Sequence, residues 1–183
     1  MDRDAYLGFF SLNPTAAKDG YMGALLVTDL LGRPVEFRVT LPVKPTAIQR
    51  TLYGDTLEPY IGVELCGKQL LRTLQHGLNL MLVNMDYLLQ VRSMCSFPVV
   101  LVQKAGSAIH VQAASDGLSS TEHFESSGRF QPISLSTAPG YEGDLDEARP
   151  LVHETLKSLD LLEPFDRIDK ALKLLQSHDK KFA

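Results

Sequence analysis

The chain has 183 residues, 44% hydrophobic and 22% charged, with a formal net charge of −4 and a pI near 5.7. That composition is ordinary for a folded globular protein, and the length suffices to bury a core without disulfides or structural metal. The acidic balance argues against a dedicated nucleic-acid binder, though not against a local basic groove, and no stretch approaches the ~18 apolar residues of a membrane span.

The opening "MDRDAYLGFF" is acidic, with too short an apolar run for a secretory leader. The two cysteines, Cys66 and Cys95, lie in apolar surroundings with no CxxC or Cys/His cluster. Buried thiols in a reducing cytoplasm are the expectation.

Tyr6 to Leu12 reads as a first strand, ended by Asn13-Pro14. Met22–Thr28 and Val35–Leu41 then form a hairpin. Pairing Asp29 with Arg33 leaves the loop Leu30-Leu31-Gly32, with glycine at the left-handed position. This register sets Leu25 opposite Phe37 and Val27 opposite Val35 on one apolar face. It sets Leu26 opposite Glu36 and Ala24 opposite Arg38 on a mixed face. A slip by one residue would break that agreement. Glu36 and Arg38 are therefore expected to be solvated or loosely paired.

Pro45 is placed to open a helix through "TAIQRTLY", which Gly54 interrupts. A longer helix follows from residue 56 or 57 to about 75, with Thr56 as N-cap and Pro59 tolerated in its first turn. Leu57, Ile61, Leu65, Leu70, Leu71 and Leu74 form its buried stripe. Gly62 and Gly67 within it point to close approach of the helix backbone to the sheet.

"LNLMLVN" (78–84) is a continuous apolar run, as in a strand covered on both faces. A short helix capped by Asp86 leads to a second such strand, "PVVLV". Together they make a βαβ unit with a parallel pair. "AIHVQA" is expected as an edge strand, residues 114–130 as a mobile loop, and "QPISLST" as a returning strand. "APGYEGDLDEARP" reads as a solvated acidic loop. Two amphipathic helices close the chain. One is striped by Leu151, Val152, Leu156 and Leu159, the other by Phe165, Ile168, Leu172 and Leu175.

The expected fold is α/β: an antiparallel meander feeding a βαβ unit in one mixed sheet, with a C-terminal helical pair. We expect one domain over 1–183, with a sheet core at 1–113, loops and one strand at 114–147, and the helices at 148–183. This element order is ribonuclease H-like. "EPYIGVELCGKQLL…LNLMLVN…FPVVLV" resembles the helix–strand–strand of endonuclease V-like members in topology and apolar pattern, within residues 5–103. A profilin-like or roadblock-like sheet is the alternative, although it usually begins with a helix. The ribonuclease H resemblance implies carboxylates on the first strand and at the end of the fourth, gripping two divalent metals. "YLGFFSL" has no carboxylate, and the fourth strand ends in Asn84 with Asp86 beyond it. No metal or cofactor is therefore expected, and the resemblance implies a noncatalytic member.

Other chemistry is weakly signalled. Cys66 and His76 lie too far apart on one helix to form a nucleophile–base pair. The five histidines lack zinc spacing, and "GKQLLRT" lacks the glycine-rich loop of a phosphate site. The basic residues Arg38, Arg50, Lys68 and Arg72 are interleaved with Tyr53 and Tyr60, a combination suited to a nucleic-acid groove. Neighbouring acids nearly cancel their charge. Tyr53, Asp55 and Tyr60 surround a helix N-terminus, where anions or partner backbones dock, but a plain helix–helix corner with Tyr53 packed inward is the favoured reading. The leading expectation is a noncatalytic binding or assembly module that docks a partner protein and forms a homo-oligomer. It rests on the tip Leu30-Leu31 and the two terminal helices. The alternatives are a degenerate metal-dependent phosphodiesterase using Asp86 with Glu58 or Glu64, and a nucleic-acid-binding module.

Overall fold

The computed structural model describes residues 5–106, 120–125 and 128–182. The expected strand "AIHVQA" lies outside the described residues. A seven-stranded sheet runs β3-β2-β1-β4-β5-β7-β6. Its strands are β1 (Tyr6–Pro14), β2 (Tyr21–Asp29), β3 (Pro34–Val39), β4 (Leu80–Val83), β5 (Val99–Lys104), β6 (Thr121–Phe124) and β7 (Ile133–Ser136). β1 pairs antiparallel with β2 and parallel with β4. β4 and β5 are parallel, as the βαβ reading requires.

Both faces of the sheet are covered, which explains the unbroken apolar runs of β1, β4 and β5. On one face Phe10, Leu25, Met81, Val83 and Leu101 meet the helical rod of residues 57–73 and a 3-10 segment, Asp86–Met94. On the other, Leu7, Phe9, Leu82, Val100 and Val102 meet α4 (Asp144–Thr155) and α5 (Glu163–His178). The terminal helices thus bury their apolar stripes on the sheet.

Four local features differ from the sequence reading. The first is the hairpin register. Asp29 and Arg33 close the turn as expected, N–H to O at 3.0 Å, and Gly32 has φ 79°. Thr28 then pairs with Pro34 but Val27 pairs with Glu36, so Val35 is an extra residue in a bulge. This slip reverses the inward face. Phe37 is left 40% exposed on the edge strand. Glu36, expected in solvent, turns inward and is buried. Its carboxylate accepts hydrogen bonds from Arg38 Nε at 2.6 Å, His76 Nδ1 at 2.7 Å, and the backbone N–H groups of Gln75 and His76 at 3.2 Å. One acid thereby ties the turn after the rod to the sheet edge.

The second is the rod itself. α1 (Ala47–Tyr53) is closed by a capping box between Thr46 and Gln49, and ends at Gly54 with φ 51°. After a 3-10 turn, α2 (Leu57–Pro59) passes into a π-helical stretch, Tyr60–Gly67, and then α3 (Lys68–Thr73). The wider π turns rotate the stripe. Val63 and Cys66 go inward and Leu65 is half exposed. The close approach inferred for Gly62 and Gly67 is made mainly to the 3-10 segment: an added Cβ would meet Leu88 and Val91 respectively at 2.9 Å. The expected approach to the sheet is also made, with an added Cβ 3.3 Å from Leu12 at Gly62 and 3.5 Å from Phe10 at Gly67, and it is tightest at Gly23 of β2, where a Cβ would lie 2.5 Å from the Cys66 Cβ.

Third, part of the stretch read as a loop is strand: β6 pairs antiparallel with β7, which pairs with β5. Fourth, the acidic loop is mostly the start of α4. Asp144 is buried there and takes Arg92 in a bidentate pair, 2.7 and 3.1 Å, while accepting from Val99 N–H at 3.0 Å. The acids in this first turn also suit the positive end of the helix dipole.

Candidate functional site

Ligands of open α/β sheets bind beyond the carboxyl ends of the parallel strands. Here β1 ends at Pro14, and β4 leads through Asn84 and Met85 into the 3-10 segment. A cleft of about 550 Å³ lies at this end, lined by Tyr21, Arg50, Gly54, Asp55, Leu57, Glu58, Pro59 and Tyr87. A second hollow of about 320 Å³ shares Tyr21, Glu58 and Tyr87 with it and adds Lys18 and Met85. The two form one continuous surface at the sheet's end.

Tyr21 and Glu58 form its centre. The tyrosine hydroxyl donates to Glu58 Oε1 at 2.9 Å. Burial and this neighbouring carboxylate raise the Tyr21 phenol, with Arg50 opposing them. Burial likewise raises Tyr87 well above an ordinary phenol, helped by the carboxylates of Glu58 and Asp86. Both rings are therefore neutral hydrogen-bonding and stacking groups at physiological pH. Arg50 is held in place by donating Nη2 to the Asp19 carbonyl at 2.6 Å.

The structure divides the seven residues singled out in the sequence among four places. Arg50 and Asp55 line the cleft. Tyr53 and Tyr60 stand beside it, their rings stacked with centroids 4.9 Å apart at 34°. Lys68 and Arg72 border a separate recess of about 310 Å³ with Leu71 and Met94. Arg38 sits on the edge strand, paired with Glu36. The basic residues thus do not form one groove. Tyr21, Tyr87 and Lys18 were missed. No local pattern marks them, because their proximity arises from the pairing of β1 with β2 and β4, across some 60 residues of sequence.

The donor set does not fit a two-metal centre. Among the described residues no group of three or more His, Cys, Asp or Glu converges. β1 presents Phe9, Phe10 and Ser11 where the architecture requires a carboxylate. At the end of β4 stands Asn84, its Oδ1 buried without a partner among the described residues. Glu58 is engaged by Tyr21, Glu64 is exposed, and Asp86 accepts from the Tyr87 N–H at 2.7 Å. Asp86, Glu58 and Glu64 thus do not join into a group of three or more possible metal ligands among the described residues. Cys66 is buried beneath Thr40, Oγ1 to Sγ 3.6 Å, and His76 is committed to Glu36.

No family model matches this sequence, and no curated protein matches it. Solved structures do. A variant of Ciona intestinalis endonuclease V, in complex with a 23mer DNA containing an inosine followed by a ribo-adenosine, superposes with a TM-score of 0.53 at 13% identity, covering 81% of this chain and 76% of that one. Endonuclease V from the same organism, in complex with a 24mer DNA containing the same feature, gives 0.52 at 14% identity, covering 82% and 77%. These neighbours, both endonucleases, overturn the leading expectation of a noncatalytic partner-docking module. Part of its structural basis is also lost: Leu31 at the hairpin tip is exposed as expected, but Leu30 packs against the core and the terminal helices bury Leu145, Val152, Ile168 and Leu172 on the sheet. The sheet order and these superpositions establish a ribonuclease H-like α/β fold, rather than a profilin-like or roadblock-like one.

Proposed function

We propose that this protein acts on nucleic acid, holding a strand across the cleft at the carboxyl ends of β1 and β4. One observation carries the reading. The cleft, with Arg50, Asp55 and Glu58 in its lining and Lys18 in the adjoining hollow, lies beyond the carboxyl ends of the central parallel strands, in a fold shared with nucleases solved on DNA. The cations supply phosphate contacts. The tyrosines supply flat apolar faces. No hydrolytic step is assigned to named residues, because the carboxylates do not assemble.

Fluorescence anisotropy with a labelled oligonucleotide tests the proposal. Affinity should fall steeply as salt rises, and Arg50→Ala should lower the salt slope by about one ion. Affinity that does not change with salt, or an Arg50→Ala variant that binds as the parent does, would refute it. Denaturing gels of the same mixtures, with Mn²⁺ added, report any strand cleavage.

A further inference from the structure

The nucleic-acid reading leaves open which form of the polymer the cleft accepts, and the distribution of aromatic side chains bears on this. Four of the chain's six tyrosines surround this one cleft: Tyr21 and Tyr87 in its lining, Tyr53 and Tyr60 at its rim. Tyr53 and Tyr60, their rings in contact at an interplanar angle of 34°, are 37% and 38% exposed, so both present surface to solvent beside the cleft. Tyr53 adjoins the lining residues Gly54 and Asp55, and Tyr60 adjoins Pro59. The rim therefore continues into the cleft floor, where Leu57 and Pro59 add apolar surface.

The helix carrying the rim has an unusual surface. α1 buries none of its residues. Its Ile48 and Leu52, one turn apart, are 72% and 78% exposed. Large aliphatic side chains in solvent on the helix that ends at Tyr53 mark an interaction surface. Arg50, on the same helix, is a cation set against the cleft. The combination matches a strand that is anionic along its backbone and flat and apolar on its base faces.

Resting on the nucleic-acid reading, we propose that the cleft takes an unpaired strand, with a phosphate at Arg50 and bases stacked on the Tyr53–Tyr60 rim. A duplex keeps its base faces inside its own stack, so these rings would gain nothing from it. An unpaired strand offers those faces freely, and aromatic stacking serves every base. The preference is thus for strand state rather than for sequence.

The test compares a labelled 20-nucleotide single strand with the duplex of the same sequence, using the full chain. The single strand should bind at least about tenfold more tightly. Tyr60→Ala and Tyr53→Ala should each weaken single-strand binding roughly 5- to 100-fold, the range for losing one stacked base. Tyr60→Phe should retain it. Circular dichroism melts verify that the variants fold; both rings are partly exposed, so truncation leaves the core intact. Equal affinity for both forms, or unchanged binding by folded Tyr53→Ala and Tyr60→Ala, would overturn the strand-state proposal and leave nucleic-acid binding standing. Absence of binding to either form would overturn both.

Discussion

Glu36 offers the most quantitative test of the structure. Its side chain is only 5% exposed, yet it is ionised between Arg38 and His76. Burial alone would raise its carboxyl. Hydrogen bonds from His76, Arg38 and the backbone of Gln75 and His76 outweigh burial and bring it from the ordinary 4.5 to about 2. At 1.36 kcal/mol per tenfold change in proton affinity, that depression corresponds to roughly 3 kcal/mol of stability at neutral pH. The sign follows from linkage: a depressed carboxyl contributes fully above 4.5, and its contribution is lost as pH falls toward about 2. Glu36→Gln removes the charge and turns an amide N–H₂ toward donors, leaving part of the site unsatisfied. Urea denaturation should show the variant less stable by about 3 kcal/mol at pH 7. The gap between the two proteins should narrow as pH is lowered from about 4.5, because the parent then loses the same charge. A loss below about 0.5 kcal/mol, typical of an ordinary surface position, or a gap independent of pH, would show that the carboxylate is solvated and the hairpin register is wrong.

Three further outcomes are expected. Asp144→Ala strands the guanidinium of Arg92, whose side chain is 16% exposed, and should cost about 3–5 kcal/mol in chemical denaturation; a near-neutral change would argue against the bidentate pair. Gly23→Ala drives a methyl group to 2.5 Å from the Cys66 Cβ and should destabilise by at least about 1–3 kcal/mol, whereas a change within error would mean the rod stands off the sheet. Burial holds the Cys95 thiol up at about 11, so its alkylation in the native protein should be slow at pH 8 and quicken roughly tenfold per pH unit up to that value; rapid stoichiometric reaction at pH 8 would show an exposed thiolate.

The sequence by itself determined the order of elements from β1 to β5, but not β6 or the start of α4. Apolar runs marked β4 and β5 as strands buried on both faces, and Tyr6 to Leu12 as a first strand. Asp29, Arg33 and Gly32 specified the hairpin turn, and Thr46 with Gln49 started α1. These are near-neighbour effects, legible because period, turn geometry and capping act over a few residues. Of the site, Arg50, Asp55, Tyr53 and Tyr60 could be singled out, since basic and aromatic residues clustered within one segment. The bulge at Val27 and Thr28 was not legible: the alternating pattern favours the unslipped register, and only the burial of Glu36 among Arg38, His76 and the backbone of Gln75 makes the slipped one stable. Which residues share the cleft was decided by tertiary structure alone. Parallel pairing of β1 with β4 brings Tyr87 and Met85 beside Tyr21 and Glu58, and such long-range proximity leaves no trace in any local window.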